Sequence, residues 1–135
     1  MLSIPKGDLV WLVRTMAKYY EMDPGKLERL VENLTGFNRD ACGAYTRGMM
    51  AIPVKYVKQF KFTEAKDWRR QVGLAFKILD KLRFYFCGNL DKAIAAYVSS
   101  IEEVQKAASQ ASFYPDEWRS KLPEHPRTFM EKICA

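Results

Sequence analysis

The sequence reads as an all-α chain, and three features carry that reading. Apolar residues recur at spacings of three and four. The segments that carry them begin at capping residues and end at glycines. No segment alternates apolar with polar residues as a half-buried strand would. At 135 residues, 48% hydrophobic and 28% charged, the chain is of a size to bury one core. The expectation is a single helical domain over residues 1–135, with several short helices around a longer central one.

The elements follow in chain order. In "DPGKLERLVENL", Asp23 is placed to cap a helix whose first residue is Pro24. Leu27, Leu30, Val31 and Leu34 fall on one face, and Gly36 ends the segment. "DWRRQVGLAFKILDKLRFYF" is the longest helical stretch, with Trp68, Val72, Ala75, Phe76, Leu79 and Phe86 spaced for a buried face and Gly88 just beyond its end. "SSIEEVQKAASQA" opens on a capping box, Ser99 with Glu102 or Ser100 with Glu103. Pro115, Pro123 and Pro126 then cut the C-terminal region into short pieces before a final turn at "RTFMEKI".

Several classes are excluded. The longest apolar runs, such as "LVWLV" and "AIAAYV", fall far short of the roughly 18 residues that span a bilayer. Lys6, Asp8 and Arg14 interrupt the N-terminal stretch, which therefore does not read as a signal peptide. Cys42, Cys87 and Cys134 are odd in number and widely spaced, without a C-x-x-C, and His125 is the only histidine. That is neither a disulfide framework nor a zinc pattern, and no metal or other cofactor is expected. The plain reading is buried or incidental thiols; a Cys–His pair of His125 with Cys134 or Cys42 has no local signature behind it.

Charge supplies an independent clue. From Lys55 to Arg83 nine basic residues face three acidic ones, Glu64, Asp67 and Asp80, and the difference equals the formal net charge of the whole chain, +6. Arg70, Lys77 and Lys81, spaced by seven and four, fall on one face of the long helix opposite its apolar side. Tyr56, Phe60 and Phe62 interleave with lysines just before it. Such a surface attracts polyanions such as nucleic acid, anionic cell-wall polymers or an acidic protein. The plain alternative is a solvated basic face.

The order of the segments carries a resemblance. "YYEMDPGKLERLVENLTGFN", then "GMMAI", then "FYFCGNLDKAIAAYVSS", then "LPEHPRTFMEKI" run in sequence over nearly the whole chain. This series resembles the soluble lytic transglycosylase domain, a relative of goose-type lysozyme. In that family a DP-led helix ends in Glu-Ser-x-Phe-Asn, followed by Gly-Leu-Met-Gln-Ile, a long helix, Ala-Ala-Tyr-Asn-Ala-Gly and a closing Leu-Pro segment. The resemblance implies a lysozyme-like fold, a peptidoglycan-type glycan ligand and a place in the cell envelope. It also implies that Met50 and Tyr97 line the glycan groove, with Asn38 beside it. On the plain reading Met50 packs in the core, Tyr97 packs with its hydroxyl at the surface, and Asn38 caps a turn.

The departures from the family pattern bear on chemistry. Leu34 stands where the family has its catalytic glutamate and Thr35 where it has serine. Ala51 replaces the sugar-binding glutamine, Val98 the asparagine, and Ser99–Ser100 the Ala-Gly. Glycosidic cleavage needs a proton delivered to the leaving oxygen by a carboxylic acid, and leucine has none to give. Glu32 precedes Leu34 by two residues, roughly 200° around the helix, and so points away. Asp40 lies in the following turn, on a different stretch of backbone.

Three functions follow as expectations. The first is a pseudoenzyme: a non-catalytic transglycosylase-like domain that binds a glycan or a protein partner through the former substrate groove. The second is an active peptidoglycan lytic transglycosylase or muramidase with a displaced acid. The third is a helical module that binds a polyanion or nucleic acid.

Overall fold

The computed structural model describes residues 4–112 and 114–134. Its chain divides into two compact units, Met1–Ile78 and Leu79–Ala135. Predominantly helical structure is what the apolar spacing predicts. In unit 1 the order is α1 (Lys6–Tyr19), α2 (Pro24–Leu34), β1 (Thr46–Arg47), β2 (Ile52–Pro53) and α3 (Val54–Gln59). The long helix α4 (Trp68–Tyr85) contains the division, and α5 (Leu90–Val98), α6 (Ile101–Gln110), a 3-10 turn (Glu117–Lys121) and α7 (Glu124–Ile133) follow.

Local chemistry sets the helix ends. The Asp23 carboxylate accepts from the backbone N–H groups of Gly25 at 2.9 Å and Lys26 at 3.3 Å, satisfying two donors that have no partner inside α2, while Pro24 needs no acceptor. Replacing Asp23 by alanine is expected to lower the unfolding free energy by about 1 kcal/mol, read as a lower urea midpoint with unchanged slope. Asn89 caps α5 by accepting from the N–H of Lys92, and Ser100 caps α6 by accepting from the N–H of Glu103. Of the two serines offered as the start of a capping box, the second is therefore the cap residue. Ser99 instead ends α5, its hydroxyl donating to the carbonyl of Ala95.

The C-terminal region departs from expectation. α7 begins at Glu124 and runs straight through Pro126. This proline sits in the first turn, where its missing N–H would have had no intrahelical acceptor, so the helix is not broken. Two further elements left no sequence signal. α3 is six residues long, too short for a 3.6-residue period to show, and each strand of the ribbon has two residues.

In unit 1, α1 packs on α2. Leu9, Val13 and Ala17 from one meet Leu27, Leu30 and Val31 from the other in the core, all buried at spacings that keep them on one face of their helix. Lys6–Glu32 at 2.9 Å and Arg14–Glu28 at 2.8 Å link the same two helices outside the core. Being solvent-exposed, each pair contributes at most about 1 kcal/mol. Tyr20 stacks on Phe76 of α4, ring centroids 5.6 Å apart.

In unit 2, α5 packs against α6 and α7, and both of these pack against the 3-10 turn. Ala93, Ile94, Ala95, Ala96 and Tyr97 are buried in succession, so α5 is enclosed on every side rather than along one stripe. Ile101, Val104 and Ala107 of α6, Trp118 of the 3-10 turn and Met130 and Ile133 of α7 complete this core.

Candidate functional site

The segment from Leu34 to Pro53 is held together by bonds that its sequence does not announce. α2 ends at Leu34, where Gly36 takes a left-handed φ of 62° and its N–H donates back to Val31 and Glu32. Phe37 is also left-handed, at φ 63°, an uncommon conformation for a residue with a Cβ, and its ring is buried. The turn therefore drives an aromatic ring inward immediately after the helix. The Thr35 hydroxyl donates to the carbonyl of Met49 at 2.5 Å, joining the end of α2 to the Gly48–Ala51 turn across 14 residues.

That second turn closes the ribbon. β1 and β2 are antiparallel, with Thr46 opposite Pro53 and Arg47 opposite Ile52, and the N–H of Ala51 donates to Gly48 at 3.0 Å. The N–H of Gly48 reaches the carbonyl of Ala41, and that of Val54 the carbonyl of Tyr45, so the preceding loop is laced to the ribbon. Gly48 has φ 79° and is buried against the side chain of Gln71, which in turn donates to the carbonyl of Ala65.

The residues picked out from sequence lie as follows. Leu34 is half-buried at the last position of α2. Asn38 is exposed and makes an Asx turn, its side chain accepting from the N–H of Asp40 at 3.0 Å. Met50 is buried with Met49 and Ile52 in the core of unit 1. Tyr97 is buried in unit 2, and burial pushes its hydroxyl far above the usual phenol range, so it stays neutral. Asn38 thus meets solvent through its side chain, while Met50 and Tyr97 are packed into interiors.

The neighbouring carboxylates are occupied or exposed. Glu32 is ion-paired with Lys6 on the surface, and Asp40 is exposed in the Asn38 turn. His125 and Cys134 lie at the start and just past the end of α7, about 13 Å apart along its axis, too far to act as a pair. Cys42 and Cys87 are exposed free thiols. Among the described residues no three His, Cys, Asp or Glu side chains are grouped to hold a metal ion, and no helix is long and apolar enough to cross a membrane.

Arg70, Lys77 and Lys81 are all exposed along α4. A second basic feature has no counterpart in the apolar pattern. Trp68, placed by its spacing on the buried face of the long helix, is half-buried at the first position of α4. The guanidinium groups of Arg39 and Arg69 lie 5.3 Å and 5.0 Å from the centre of its ring. Tyr45, in the loop before the ribbon, is 82% exposed, an aromatic surface that no periodicity argument could single out. Compared with known proteins, the chain matches no protein-family model and no curated protein.

Proposed function

We propose that this protein is a non-catalytic, transglycosylase-like domain that holds a glycan of the peptidoglycan type at the surface formed by the end of α2 and the loop leading into the ribbon. The Thr35–Met49 hydrogen bond is the observation that carries the reading. It draws together the "LTGFN" and "GMMAI" segments, the two that the resemblance to transglycosylases pairs as acid-bearing and sugar-binding motifs. Asn38 and the strongly exposed Tyr45 belong to the stretch between them and offer an amide and an aromatic face, the groups with which proteins grip sugars.

Lack of turnover follows from the same residues. At the acid's position a leucine side chain can neither protonate a leaving oxygen nor take a proton from the sugar. The two nearest carboxylates are accounted for: Glu32 is held by Lys6, and Asp40 stands exposed in the Asn38 turn. Ser99 and Ser100, at the family's Ala-Gly, end one helix and start the next.

The purified protein is expected to sediment with insoluble peptidoglycan and to release no soluble fragments from it. Replacing Leu34 by glutamate should restore little activity, since Ala51 and Val98 still lack the amides that position the sugar. Fragment release that disappears in Asp40→Asn or Glu32→Gln would establish a relocated acid and an active enzyme instead. Failure to sediment would remove the glycan from the proposal.

A further inference from the structure

The formal charge of the protein is distributed unevenly. Unit 1 carries 14 Lys and Arg against eight Asp and Glu, whereas unit 2 carries eight of each, so the net +6 resides in unit 1. Within unit 1 the first 38 residues are balanced, five against five, and their acids and bases meet in pairs such as Lys6–Glu32 and Arg14–Glu28. Residues 39–77 hold the whole excess, nine basic against three acidic. Arg39 and Arg69 belong to that stretch and share the ring of Trp68.

This cluster does more than collect charge. A guanidinium held over an indole keeps its N–H edge free for bidentate hydrogen bonding, and it loses less side-chain freedom when an anion arrives than a free arginine would. Trp68 opens α4, an 18-residue helix, so the positive end of the helix dipole adds to the same corner. Asp67, whose carboxylate accepts from the N–H of Arg69 at that helix end, offsets this dipole, so the two guanidinium groups carry the attraction for an anion. Upstream, Phe60 and Phe62 are half-buried and meet edge to face at 6.2 Å, and exposed Lys58 and Lys61 interleave with them. Five residues of chain, a reach of at most about 20 Å, separate Phe62 from Trp68.

We infer that unit 1 binds single-stranded nucleic acid through this basic stretch, with Arg39 and Arg69, held on Trp68, on phosphates and the half-buried Phe60 and Phe62 rings next to unpaired bases. Charge complementarity selects a polyanion, and alternation of aromatic with basic side chains selects one whose repeating units present flat π faces next to their charges. A duplex keeps its bases stacked on each other, and a sulfated glycan has no such faces. Arg39 follows Asn38 in the loop of the glycan reading, so the two surfaces adjoin; sedimentation with peptidoglycan and anisotropy with single-stranded DNA report on them separately, and either can fail alone.

The test is fluorescence anisotropy of a labelled 16-nucleotide single-stranded DNA, with duplex DNA of the same length and a heparin oligosaccharide of matched charge as competitors. Binding at 50 mM salt is expected to fall about 50-fold by 200 mM if four phosphates are neutralised. Arg39→Gln with Arg69→Gln should weaken it at least tenfold and flatten the salt dependence by the share of two contacts. Trp68→Leu should weaken it while leaving the formal charge unchanged; the arginine variant carries the test if this one fails to fold. Absence of binding at 50 mM salt, unchanged affinity in the folded arginine variant, or stronger competition by heparin or duplex than by unlabelled single strand would each overturn the proposal.

Discussion

Truncating Phe76 to alanine is expected to lower the unfolding free energy by about 3–5 kcal/mol. The ring is buried completely in unit 1 and lies nearly parallel to Tyr20, with an interplanar angle of 16°. Removal forfeits both the transfer of the ring out of water and its contacts, and leaves a void that neighbours held by two regular helices cannot close. Phe76→Leu, which refills most of that space, should recover the larger part. Urea unfolding followed by far-ultraviolet circular dichroism measures both variants, and a loss below about 1 kcal/mol for the alanine variant would show that the site collapses or that the ring is not enclosed.

Gly48→Ala is the second change with a large expected effect, about 2–3 kcal/mol. Two costs combine. A left-handed φ of 79° is strained for any residue with a Cβ, by about 1–2 kcal/mol. The added carbon would also fall on the Gln71 amide oxygen, so that side chain must swing away and lose its hydrogen bond to Ala65, worth about 1 kcal/mol. The two parts separate in a double-mutant cycle, since in a Gln71→Ala background the same glycine substitution should cost only the backbone strain. Equal costs in both backgrounds would refute the steric component. The change also bears on the proposed glycan surface, since Gly48 begins the turn whose Met49 carbonyl receives the Thr35 hydroxyl.

Much of the secondary structure is legible because its determinants are local. Asp23, Pro24 and Gly36 bracket α2, and Ser100 opens α6, through groups that act within three or four residues of where they stand. The same locality explains what was illegible. The ribbon offers two residues per strand, and α3 fewer than two turns, so neither repeats long enough to register as a period. Pro126 reads as a helix breaker only if its place within the helix is unknown; in the first turn it is tolerated.

Of the candidate site, the sequence by itself determined which side chains are available: leucine at position 34, alanine at 51 and valine at 98 offer neither an acid nor an amide. It also determined the strong positive charge of the middle of the chain. Only the tertiary structure decided which of the singled-out residues reach solvent, leaving Asn38 outside while Met50 and Tyr97 are enclosed. It alone brought Thr35 to Met49 and Arg39 to Trp68, pairs separated by 14 and 29 positions. The physical reason is range: capping and periodicity act through adjacent turns of one backbone, whereas burial, cation–π contact and a hydrogen bond between distant segments exist only once the packing of several elements has brought those groups together.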